Sequence, residues 1–333
     1  MGDAILQVKD LQAGYQTKAG RVRAVDNVSF ELKKGEFLGL AGESGCGKST
    51  LAYSIMNLLQ SNGKIFSGEI LLDGENIATL PEIQLRKIRW SRISMVFQSA
   101  MSALNPVLTI GEQLIDGILA HRKGISKQVA RERVVELMEL VDLPSERLSD
   151  YPHQLSGGMK QRVVIAMALI LEPDVVIMDE PTTALDVVVQ RTIIEKIEEL
   201  RRCLGFSVIF ITHDLSLLLE VSDRIAIMYG GQIVELGLAQ SIYERPYHPY
   251  TEGLLNSFPP LMGEFKDYGG IPGKPPSLLN PVPGCRFYER CPKRMEKCKA
   301  PIQLLRMDES HQVACHLYTE EVGPDGTRKS VGA

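Results

Sequence analysis

Apolar residues in this chain fall into short continuous runs and longer helical periods, in alternation. "FLGL" at 37–40 and Val175–Met178 are apolar runs of strand length, suited to buried parallel strands. The segment after Lys48, "STLAYSIMNLL", has the 3.6-residue period of a helix. In "SKQVARERVVELMELVDLP" Ser126 is placed to cap a helix, with Ala130, Val134, Leu137, Met138 and Val141 on one face. Another helix follows "SGG" at 156–158 and includes Val163–Leu171, the longest fully apolar run. From about Leu236 the pattern dissolves into "YERPYHPYTEGLLNSFPP" and "GGIPGKPPSLLNPVPG", which predict extended and turning chain over a surface. The expected fold class is α/β, with a helical segment between the first strand and the second and a proline-rich C-terminal extension. Boundaries are expected at 1–240 for the main part, with a helical subdomain at about 99–160, and at 241–333 for the extension.

Composition changes this picture little. The 333 residues are 44% apolar and 23% charged with a net charge of −4, too near balance for a general attraction to nucleic acid or anionic lipid. The start, "MGDAILQVKD", lacks the basic and apolar regions of a signal peptide, and nine apolar residues are about half a membrane span. A cytoplasmic chain is expected.

The chemistry begins at "GESGCGKST". A loop with glycines at 42, 45 and 47 between a strand and a helix turns successive backbone N–H groups toward an anion, and the helix N-terminus adds its dipole. Gly42, Glu43, Ser44, Gly45, Cys46, Gly47, Lys48, Ser49 and Thr50 are therefore the candidate polyphosphate site, with Lys48 reaching the β and γ phosphates and Ser49 on magnesium. The bland alternative is an ordinary glycine-rich turn. The strand 175–178 delivers Asp179 and Glu180 to its C-terminal end, where open α/β sheets bind ligands. Asp179 suits a magnesium ion and Glu180 a general base for water, unless the pair is only a charged turn.

"LSGGMKQR", with these motifs in this order, resembles the signature of ATP-binding-cassette (ABC) ATPases. The resemblance implies a RecA-like P-loop cassette with a helical signature subdomain. It also implies roles by position: Tyr15 stacks on adenine, Gln98 is the Q-loop glutamine and a magnesium ligand, Asp186 lies in the D-loop, and His213 in "VIFITHDLS" is the switch histidine. Ser156, Gly157 and Gly158 would serve ATP bound to a partner cassette, since "SGG" at a helix start is a second anion site and one chain has no use for two. A second cassette is thus required, with ATP sandwiched between the two.

"FQSAMSALNPVLTIGEQL", Met159 in the signature, and "ERPYHPYTEGLLNSFP" followed by "GCRFYERCP" resemble the D-type ATPase of bacterial dipeptide, oligopeptide and nickel importers over residues 5–318. The implied partners are an F-type ATPase, or a second copy in isolation, two membrane permease subunits and, indirectly, an external peptide-binding protein. The implied location is the cytoplasmic face of the inner membrane. Two other classes are a soluble ABC protein, which would carry two cassettes or a long coiled coil, and an iron–sulfur redox sensor with an ATPase attached. Only 108 positions separate Lys48 from Ser156, and no heptad run lies between them.

Four of the six cysteines, Cys285, Cys291, Cys298 and Cys315, lie in the last fifty residues. In a reducing compartment such a cluster reads as metal ligands. Tight pairs suited to zinc are missing, although His311 or His316 could replace one thiolate in a Zn2+ site. The wide spacing and Cys291-Pro292 favour a [4Fe-4S] cluster, and seven Arg or Lys against four Asp or Glu between 285 and 316 would offset its charge. Free thiols or disulfides are the remaining reading. A metal is expected to fix a segment that no hydrophobic core can hold, and the glycine loop is expected in a separate core.

Overall fold

The strand that feeds the glycine loop, Phe37–Ala41, is buried at every residue, as its unbroken apolar run requires. This computed structural model describes residues 4–98, 100–183, 185–257 and 270–319. Residues 258–269, within the expected proline-rich extension, lie outside the described residues, as does Ser99 at the expected start of the helical subdomain. Contacts divide the chain into two compact units, one of residues 1–6, 32–36 and 72–210, the other of residues 7–31, 37–71 and 211–333.

In the first unit the strand Ile93–Val96 runs parallel to Val175–Asp179, whose other neighbour is Ser207–Ile211. The helical subdomain follows its predicted periods. Lys127–Leu140 begins at Ser126, whose hydroxyl accepts the Val129 N–H, and Ala130, Val134, Leu137, Met138 and Val141 are buried. Ile110–His121 begins with a capping box, in which Thr109 and Glu112 each satisfy a free N–H of the other. The helix Gly157–Leu169 starts at Ser156, whose hydroxyl accepts the Met159 N–H at 3.3 Å.

In the second unit Phe37–Ala41 pairs in parallel with Arg224–Tyr229, which pairs antiparallel with Gln232–Leu238. The ladder then continues into the C-terminal segment. Val313 and Gln312 pair with Glu235 and Leu236, and Leu305–Arg306 pairs with Gln312–Val313. The sequence gives little warning of this, because two-residue strands carry no readable alternation. The segment also has a small core of its own, in which Tyr247, Met307, Val313 and Cys315 are buried with Leu317 and Tyr318 packed against them. The expectation that only a metal could fix the tail, and that the glycine loop would sit in a separate core, is corrected here. Backbone pairing and aromatic packing hold the tail, and it shares a unit with the glycine loop.

Candidate functional site

Gly42 and Gly47 have φ of +151° and +111°, and a Cβ on either would meet a backbone carbonyl oxygen, Met228 O at 2.1 Å or Ala24 O at 2.0 Å. Only glycine fits both the backbone turn and the close approach. The loop leads into the helix Lys48–Ile55. The Lys48 ammonium is buried and donates to the carbonyls of Gly42 (2.6 Å) and Glu43 (3.1 Å), with Cys46 Sγ at 3.8 Å. Burial pushes the Cys46 thiol up, against the opposing pull of Lys48. Ser44 and Gly45 are exposed, Ser49 is half-buried and Thr50 is buried. Tyr15, on the strand Ala4–Thr17, shares a 3.3 Å hydrogen bond between its hydroxyl and that of Thr50, which joins it to the loop's helix. His213 is exposed two residues beyond Ser207–Ile211.

The other candidates belong to the first unit. Asp179 is buried at the end of its strand, and Glu180 follows in a left-handed conformation with φ of +47°. A glutamate held there is strained, which is common where a side chain must be aimed. The Glu180 carboxylate accepts from Gln98 Nε2 at 3.0 Å and from the Thr183 hydroxyl at 3.2 Å. Gln98 and Glu180, 82 residues apart in sequence, are thus brought together, while Thr183 was not anticipated. Exposed Ser156 and Gly157, with half-buried Gly158, open one helix. Exposed Asp186 caps another, Val187–Leu204, by accepting the Val189 N–H at 3.0 Å.

Residues 25–183 match the family described as ABC transporter, and residues 234–298 match the oligopeptide/dipeptide transporter C-terminal region. The dipeptide transport ATP-binding protein DppD of Bacillus subtilis (strain 168) is 48% identical over 96% of both chains. The oligopeptide transport ATP-binding protein OppD of Escherichia coli (strain K12) is 44% identical over 96% of this chain and 95% of its own. The chain belongs to the ATP-binding subunits of dipeptide and oligopeptide ABC transporters. Its P-loop cassette fold is shared with the dimeric bacterial ABC transporter cassette MJ0796, at a TM-score of 0.63 and 31% identity over 70% of this chain and 98% of that one. A further structure of that cassette is a dimer in a post-hydrolysis state with ADP and Pi, and ATP hydrolysis is the activity of this ABC ATPase as well.

Among the described residues of this ABC ATPase no helix is long and apolar enough to cross a membrane. No disulfide joins its four tail cysteines. Cys298 and Cys315 are buried, Cys285 and Cys291 are half-buried, and the Cys285 N–H donates to the Cys298 carbonyl at 2.8 Å. Burial pushes the Cys285 thiol up to about 11 and the Cys315 thiol up to about 12, and the neighbouring cysteines add to both shifts. Even so, among the described residues no group of three or more His, Cys, Asp or Glu side chains is placed to hold a metal ion. The expected [4Fe-4S] or zinc centre is not supported by a formed ligand group. The histidines named for zinc are engaged elsewhere: His311 Nε2 lies 2.7 Å from the buried Glu235 carboxylate, and His316 Nε2 lies 3.0 Å from the Ala300 carbonyl. Glu235 also accepts the N–H groups of Tyr247 (2.7 Å) and His248 (2.9 Å).

Proposed function

We propose that this chain hydrolyses ATP to power import of dipeptides or oligopeptides, as one of two cassettes beneath two membrane permease subunits fed by an external peptide-binding protein. The observation that carries this reading is the match to peptide-transport ATP-binding proteins along 96% of the chain, including its C-terminal segment. The chain is peripheral at the cytoplasmic face of the membrane. Its second cassette is an F-type ATPase, with a copy of itself as the substitute in isolation. Residues 1–240 act as the nucleotide-binding domain and 241–333 as the extension.

The glycine loop wraps the phosphates, Tyr15 stacks on adenine, and Lys48 leaves its loop carbonyls for the β and γ phosphates. Ser49, Gln98 and Asp179 offer hydroxyl, amide and carboxylate oxygens, donor types that would suit a magnesium ion, and such an ion would supply charge neutralisation at the phosphates. Glu180 takes the proton of the attacking water while Gln98 and Thr183 orient it through their hydrogen bonds. His213 contacts the γ phosphate as the switch histidine. Ser156, Gly157, Gly158 and Asp186 serve the partner's nucleotide, so that ATP joins the two cassettes and hydrolysis releases them.

For the tail, the donor chemistry of Cys285, Cys291, Cys298 and Cys315 suits a [4Fe-4S] cluster better than zinc. The wide, uneven cysteine spacing lacks the tight pairs of a zinc site, and the histidines that would complete one are taken. Four thiolates would hold the cluster, which would add to the strand pairing and aromatic packing that already fix the segment. Anaerobic purification of the native complex tests both parts: mass analysis should find two permeases and a related ATPase, with about four irons and four sulfides per copy of this chain. Absence of permeases would refute the importer reading, and a colourless protein with one zinc would refute the cluster alone.

A further inference from the structure

Glu43 puts a carboxylate in a loop built to receive a polyphosphate. An unneutralised charge there opposes the ligand, and in a partly screened site one such repulsion costs roughly tenfold in affinity. The tail supplies the countercharge. Arg290 Nη1 donates to one oxygen of Glu43 at 2.8 Å and Nη2 to the other at 2.9 Å, a two-pronged pairing between residues 247 positions apart. The Arg290 side chain is 6% exposed and that of Glu43 24%.

Arg290 is held firmly enough to act on its partner. Nε donates to the Pro272 carbonyl (2.9 Å), Nη2 to the Ile271 carbonyl (2.9 Å) and Nη1 to the Tyr229 hydroxyl (3.2 Å), which with Glu43 engages each N–H of the guanidinium. Its cationic group lies 5.7 Å from the ring centre of Tyr229 and 5.9 Å from that of Phe287. Tyr229 in turn packs against Tyr250, whose hydroxyl accepts the Glu43 N–H at 2.9 Å. The Glu43 carbonyl accepts from Lys48. One loop residue therefore joins the tail to the lysine of the phosphate site by side chain, N–H and carbonyl at once.

We infer that Arg290 is a positioning residue for the nucleotide, neutralising and fixing Glu43 so that ATP affinity depends on the cysteine segment being folded around it. Arg290 immediately precedes Cys291, so whatever orders or disorders the segment acts on the loop through this pair. The inference rests on the glycine loop being the ATP site.

The test measures ATP Kd, KM and kcat on the purified full-length chain. Arg290→Ala should raise Kd and KM roughly tenfold, about 1.4 kcal/mol, with kcat changed by less than about threefold. Adding Glu43→Gln to Arg290→Ala removes the stranded charge and should bring Kd back to within about threefold of the parent. A role confined to anchoring the tail predicts the opposite, since the double variant would bind no better than the single; that result, or an unchanged Kd in Arg290→Ala, overturns the inference. If Arg290→Ala does not fold, Arg290→Lys is judged the same way, by whether Glu43→Gln relieves its loss. Lys48→Ala separates the two claims. If it binds ATP normally the loop is not the nucleotide site, whereas if it loses binding while Arg290→Ala keeps it, only the role of Arg290 fails.

Discussion

Replacing Arg286 by methionine should destabilise the fold by an amount set by one buried ion pair. Arg286 donates to the Asp26 carboxylate and to the Gly230 carbonyl, and the side chains are 3% and 6% exposed. Burial pulls the Arg286 pKa below its usual value while Asp26 pulls it back. Methionine fills much of the space but leaves Asp26 charged, buried and unpaired, at a cost of ~3–5 kcal/mol. At ~2–4 °C per kcal/mol for a chain of this size, Tm should fall by roughly 10 °C, measurable by thermal denaturation. The effect should also reach the glycine loop, because the Asp26 N–H donates to the Gly231 carbonyl and the Gly231 N–H to the Cys46 carbonyl, both at 2.8 Å. Combining Asp26→Leu with Arg286→Met removes the stranded charge and should recover all but ~1–2 kcal/mol. A single variant within about 2 °C of the parent, or a double variant no more stable than the single, would refute the assignment of cost to an uncompensated charge.

Glu180→Gln should retain ATP binding while turnover slows roughly 100-fold or more, checked by steady-state hydrolysis beside equilibrium binding; near-normal turnover would remove Glu180 as the base. Burial lowers the His248 pKa to about 4, with Glu235 partly opposing. The unfolded chain therefore binds the extra proton first, and stability should fall by up to ~3 kcal/mol as pH drops from about 6.5 to about 4. His248→Asn keeps an acceptor for the Tyr250 N–H and should flatten that part of a Tm-against-pH curve; an unchanged slope would place the titration elsewhere. Cys291→Ser or Cys298→Ser should abolish the brown colour and the absorption on the order of 400 nm expected of an anaerobic preparation, whereas a parent that is colourless even after iron–sulfur reconstitution carries no cluster.

Local patterns were readable where one element contained the whole signal. The cap at Ser126 and its buried face, the glycine loop and the strand ending in Asp179 each occupy fewer than twenty consecutive residues, and the structure places them as expected. The resemblance to ABC ATPases named Gln98 and Glu180 separately, and their meeting came only from the fold, because no local pattern announces a contact across 82 positions. The tail was misjudged for a related reason. Prolines and glycines suggested a segment without a core, but its stability comes from pairing with Glu235 and Leu236 and from packing around Tyr247, partners contributed by distant chain. His311 illustrates the limit, since proximity in sequence suggested cysteine partners and the fold gives it Glu235. Arg290 looked like one charge among seven basic residues, and only the fold distinguishes it by its place on Glu43.

The central claim is that hydrolysis by this chain drives peptide import. The direct measurement is uptake of a labelled dipeptide or oligopeptide into vesicles carrying the purified complex, with ATP supplied on the side of the cassettes and the binding protein on the other. The account predicts uptake that requires ATP and stops when this chain carries Glu180→Gln. A complex that hydrolyses ATP yet moves no peptide, or one whose uptake is untouched by Glu180→Gln, would contradict it.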